Sequence, residues 1–162
     1  MSHRIQYILT LFVIISSIVT SCQSKRTSNE ENNKGKSVAI KLSEENESLE
    51  LLKLRCYACH QINSKSHDEI IAPPLAAVKR RYLRSFPQRD DFIEAVVNWT
   101  LDPKEEKAMM FGAVKRFKVM PYQSFDKSEM RKIAVYIYDN DLEEPEWFEA
   151  HEAEMHRNMP EN

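Results

Sequence analysis

The sequence predicts an all-α fold, a bundle of short helices, and three observations carry that prediction. Only two of the 162 residues are glycine, whereas sheets joined by tight turns call for more. Apolar residues recur at helical spacing, as in Phe92, Val96 and Trp99, or Met130, Ile133, Ala134, Ile137 and Tyr138. Outside the N-terminus, β-branched runs are few. The length suits one domain. A formal charge of −2, with 30% charged residues, describes a soluble surface and gives no reason to expect nucleic acid as a partner.

The folded part is expected over residues 43–142. Ser43 can cap its first helix, with Glu44 and Glu45 at the positive dipole end. Leu49, Leu52 and Cys56 then make a buried stripe leading into Cys56-Tyr57-Ala58-Cys59-His60. A Cys-x-x-Cys-His run is the spacing of covalent c-type haem attachment. Both thiols can close thioethers to haem vinyl groups from one turn. His60, four residues beyond Cys56, shares that face and comes beneath the iron as proximal ligand. The rival readings are weaker. A redox Cys-x-x-Cys belongs beside a βαβ pattern, and structural zinc needs four ligands, for which no second motif stands in the central chain.

A loop over residues 61–74 closes on Ala72-Pro73-Pro74-Leu75, whose prolines forbid helix continuation. Here the chain resembles the class I cytochromes c, over about residues 44–142, through the Cys-x-x-Cys-His run, Ala-Pro-Pro-Leu and Val119-Met120-Pro121. The resemblance implies a cytochrome c-like bundle around one covalent haem. It implies that the Pro73 carbonyl accepts a hydrogen bond from the proximal histidine and that Leu75 packs on the haem. Ala72 departs from the family's usual glycine. On the residues alone, the two prolines could simply start the next helix.

Residues 76–86 read as a short helix with the basic cluster Lys79, Arg80, Arg81 and Arg84. Such a cluster is ordinarily a solvated face, or a docking rim for an acidic partner. The resemblance gives Arg81 a haem propionate, which a guanidinium fork suits. A helix over Asp90–Thr100, capped by Asp90 or Asp91, carries Trp99. Trp99 is either core bulk or, by the resemblance, an indole donor to a propionate. Asp102-Pro103 breaks that helix, and another is expected from Lys104 to about Phe117.

Met120 precedes Pro121 and so lies outside any helix. A thioether on a loop can reach the iron's far side, and both the distance from His60 and the Met-Pro pair match the resemblance. Met109, Met110, Met130 and His67 compete for that role, although methionines on helical stripes are more often core filling. The last helix opens with Asp126-x-x-Glu129, a capping-box pattern. The resemblance implies that this helix crosses the first one, where Ala134 would allow close approach to the Leu49/Leu52 stripe.

The termini add an address. Residues 1–21 have a short positive start and an apolar core, and end in Val19-Thr20-Ser21-Cys22. This resembles a bacterial lipoprotein signal, with Cys22 receiving lipid, against an ordinary signal peptide with an incidental cysteine. Cleavage before Cys22 removes one basic and no acidic residue, moving the charge from −2 to −3. Residues 22–42 are polar and expected to be a flexible tether with a reach of about 25 Å. Residues 143–162 form an acidic extension, an accessory helix or frayed tail, in which His151 and His156 give only a weak metal motif.

The combined expectation is a monomeric, exported, membrane-anchored single-electron carrier with redox proteins as partners, and not an enzyme. The alternatives are a haem-based small-ligand sensor, which needs a labile or absent sixth ligand, and an electron-transfer module of a larger respiratory complex. A peroxidase needs an open site with a general base, and no distal histidine is evident in the sequence.

Overall fold

The computed structural model describes residues 27–157. Among them are six α-helices, two 3-10 turns and no strand, so the fold is all-α. The helices are α1 (Thr27–Arg55), α2 (Leu75–Ser85), α3 (Arg89–Leu101), α4 (Phe111–Phe117), α5 (Lys127–Asp139) and α6 (Phe148–Arg157). The chain divides into compact units at Ser43/Glu44, and the unit beginning at Glu44 holds the core and the candidate site. The signal-like segment and Cys22 lie outside the described residues.

The core assembles from one face of each long helix. Leu52 of α1, Phe92, Ile93 and Val97 of α3, and Met130, Ile133, Ala134 and Ile137 of α5 are all almost wholly buried. Fully burying one such side chain contributes about 1.5–3 kcal/mol, so this cluster holds the domain together. α5 packs along α3 in antiparallel fashion. Arg89, at the start of α3, forms a two-pronged pair with Asp139 at the end of α5, at 3.0 and 2.8 Å. Arg131 of α5 meets Glu94 of α3.

α1 meets α5 at a crossing. Lys132 reaches Glu47 at 2.6 Å and Glu129 takes Arg55 at 2.9 Å. These anchors are far apart along α1 and close together along α5, so the two helices run across each other. Ala134, with no exposed surface, sits in the same core cluster as Leu52. The ion pairs are half exposed, and each contributes at most about 1 kcal/mol; burial does the rest.

Several expectations are corrected. Ser43 caps nothing, because α1 continues upstream through it from Thr27. The stretch expected as an irregular tether is therefore helical from Thr27 onward, and exposed over residues 36–42. Lys, Ala, Leu and Glu around Ser43 are good helix formers with no proline among them, so nothing stops the helix there. Asp90 and Asp91 lie within the first turn of α3, and its cap position is Gln88. They still favour the dipole.

The helix expected from Lys104 to Phe117 is broken. A 3-10 turn over Glu105–Lys107 is followed by the non-helical residues 108–110, and α4 starts only at Phe111. Arg81 Nε donates to the Met109 carbonyl at 2.9 Å, the oxygen that a continuous helix would offer to its own next turn. Only half of the capping box forms. Asp126 accepts from the amides of Ser128 and Glu129, while the Glu129 carboxylate turns to Arg55.

Candidate haem attachment site

α1 ends at Arg55, and the next residues make one further turn. Cys56 N–H donates to Leu52 O at 2.9 Å, and His60 N–H donates to Cys56 O at 2.9 Å. That single turn carries Cys56, Cys59 and His60 together at the end of the core helix. Both sulfurs are free thiols, Cys56 half-buried and Cys59 exposed. Burial pushes the Cys56 thiol up to about 11, with the neighbouring Cys59 adding to the shift, so it is protonated at neutral pH.

His60 Nδ1 lies 2.6 Å from the carbonyl oxygen of Pro73. A carbonyl can only accept, so Nδ1 carries the proton and Nε2 presents its lone pair. Burial holds the imidazole below its usual range, against the upward pull of the Pro73 carbonyl. A neutral ring, oriented by a carbonyl and free at Nε2, is the form that ligates metal. Two uncrosslinked thiols on the same turn complete a donor set that fits covalent haem.

The two readings of the proline pair coexist. Pro74 stands at the cap of α2 and its carbonyl accepts from Val78, while the Pro73 carbonyl turns back to His60. Leu75, the first residue of α2, is buried in the core cluster. Arg81 is anchored through Nε to Met109 O and through Nη1 to Ser85 Oγ, and Nη2 makes no hydrogen bond among the described residues. Arg81 and Arg84 border an open cavity of about 370 Å³ whose apolar walls include Met109 and Phe111. Trp99 is half-buried against the core, and its indole N–H has no hydrogen-bond partner among the described residues.

Met120 lies half-buried in the irregular stretch between α4 and α5. The chain enters that stretch through Lys118, at φ 70° and ψ 179°. A side chain there is strained by about 1–3 kcal/mol. Of the competitors for Met120's role, Met109 and Met110 line the cavity beside Arg81, whereas Met120 is not among its lining residues. Met130 is core, Met109 presents its carbonyl to Arg81, and Met110 stands at the start of α4. His67 stacks on His151, with ring centres 4.2 Å apart.

Three of the four basic residues of the α2 cluster are engaged within the chain, and Arg84 stays exposed. Lys79 donates to Asn140 O at 2.7 Å, and Arg80 binds both Glu144 and Glu152. The acidic extension folds back on the domain as α6. The sequence offers an accessory helix or a tail here, without its target, the loop after the haem motif. Trp147 Nε1–H donates to Ser64 O and Oγ at 3.0 and 3.1 Å. Among the described residues no group of three or more His, Cys, Asp or Glu could hold a metal, and the side chain of His156 lies outside them.

An all-α domain that sets two thiols and a carbonyl-oriented imidazole on one turn is built as a protein of covalent haem. The Cytochrome c family matches residues 48–140, more than half of the chain, and the chain belongs to that family. Comparisons with curated proteins and with solved structures return no match. The family binds haem c covalently, and its members are generally electron-transfer proteins rather than enzymes. Cytochrome c domains are typically extracytoplasmic, and among the described residues no helix is long and apolar enough to cross a membrane.

Proposed function

We propose that this chain is a single-electron carrier whose haem is held by Cys56 and Cys59 as thioethers, with His60 as proximal and Met120 as distal ligand. The observation that carries this reading is the 2.6 Å contact between His60 Nδ1 and Pro73 O beside two free thiols. Haem, when bound, supplies an iron that cycles between ferric and ferrous states. His60 offers a fixed Nε2 lone pair, because the Pro73 carbonyl prevents ring rotation and tautomer exchange. Met120 offers a soft thioether from a loop whose entry at Lys118 is conformationally constrained. A ring fixed as His60 is moves little between oxidation states, which suits rapid electron exchange. Leu75 excludes water from one side. Arg81 Nη2 and the Trp99 indole N–H, which make no hydrogen bond among the described residues, are donors suited to propionate carboxylates.

The carrier would work on the outer side of a bacterial membrane, anchored through lipid on Cys22, as a monomer that meets redox proteins. The test is an absorption spectrum of the matured protein beside Met120→Ala. Loss of the sulfur-to-iron band in the variant, with covalent haem retained, is the expected result. An unchanged band removes Met120 from the iron. Ready carbon monoxide binding by the unmutated protein would favour a sensor instead.

A further inference from the structure

The family match ends at residue 140, and the described chain runs on to residue 157. That extension is firmly seated. Pro145 is fully buried and Phe148 almost so. Arg80 holds Glu144 at 2.6 Å, binds Glu152, and lays its guanidinium over the Phe148 ring at 4.9 Å. Against this support stands loop 61–74, whose only regular element is one 3-10 turn at His67–Glu69. Trp147 grips the loop at Ser64 through two hydrogen bonds. His151 stacks on His67, and Trp147 stands edge-on to both rings at 5.7 Å. From α4, Arg116 donates to His67 O at 2.9 Å. The same loop ends at Pro73, whose carbonyl meets His60.

We infer that residues 141–157 form a strap on the proximal loop, with Trp147 as a positioning residue that keeps the Pro73 carbonyl on His60. The inference rests on the proposed haem ligation by His60. A ring whose Nδ1–H is strongly bound to a carbonyl gains anionic character and is the more basic ligand. Such a ligand favours ferric iron and lowers the reduction potential. A slackened loop weakens that bond, so the potential rises.

The experiment uses the full haem-loaded protein, unmutated and as Trp147→Phe, which keeps an aromatic ring and deletes the donor. Two quantities are read: the midpoint potential, and hydrogen exchange at the amides of Lys65 and Glu69, which are held within the loop. The expected result is a positive shift in potential with faster exchange. His151→Ala gives the same signs and serves if the first variant does not fold. Ile137→Val, a core change away from the loop, should lower the unfolding temperature and leave the potential alone. If Trp147→Phe lowers the unfolding temperature but leaves potential or loop exchange unchanged, the strap is merely structural and the inference is overturned. Failure of the haem reading shows separately, as a preparation with no haem mass. Exchange in that protein still tests the grip on the loop.

Discussion

His60 and His67, seven positions apart, show how environment divides one residue type into two tasks. His60 is buried, neutral and oriented by Pro73. His67 is more open, with one-third of its side chain exposed. Burial first, then Arg116 and His151, lower its pKa, while Asp68 opposes them. This fixes the sign of its pH dependence. Unfolded, His67 titrates near 6.5; folded, it titrates lower, so the folded state binds fewer protons between the two values. Its stabilising contacts are complete above the unfolded value and weaken as pH falls below it. The advantage in unfolding temperature of the unmutated protein over His67→Gln, followed from roughly pH 5 to 7.5, should shrink toward the acid end, because only the protein with His67 loses these contacts. A pH-independent difference would contradict this. The motif residues were legible in sequence because their spacing is local and chemical, whereas the role of Pro73 was implied by the family resemblance. The His67 stack was not, since its partner is remote in the chain and nothing in the pattern pairs them.

At the scale of elements, α3 and α5 are the ones that periodicity reveals, although α3 also buries Ile93 and Val97 and leaves Trp99 half-buried. Periodicity misleads at residues 104–117, where the outcome turns on the carbonyl of Met109. A guanidinium from α2 takes that oxygen, and no local pattern announces a tertiary donor. The start of α1 misleads for the opposite reason, because good helix formers carry the helix past a plausible cap. The α1–α5 crossing makes a further prediction. Ile137 is 3% exposed within the core cluster. Ile137→Ala should therefore cost about 2–5 kcal/mol, read by denaturant unfolding of the haem-loaded protein. The absorption bands of the folded variant should stay in place, because Ile137 belongs to the packing and not to the ligand set. A shifted sulfur-to-iron band would mean that the core and the distal loop are coupled.

For the whole molecule, the core of α1, α3 and α5 fixes one end of α1, and the haem motif is that end. The proximal loop runs from the motif to Pro73 and is gripped midway by an extension that lies beyond the family match. Legibility ended where contacts became mutual: the extension reads in sequence as an accessory helix or tail, and only its seating on Arg80 and Ser64 gives it a place. The most direct measurement of the central claim is the mass and colour of this protein after maturation in a host that attaches haem. The expected product is a red protein, heavier by one covalently bound haem, that loses the added mass when Cys56 and Cys59 are both replaced by alanine. A colourless protein of unaltered polypeptide mass would contradict it.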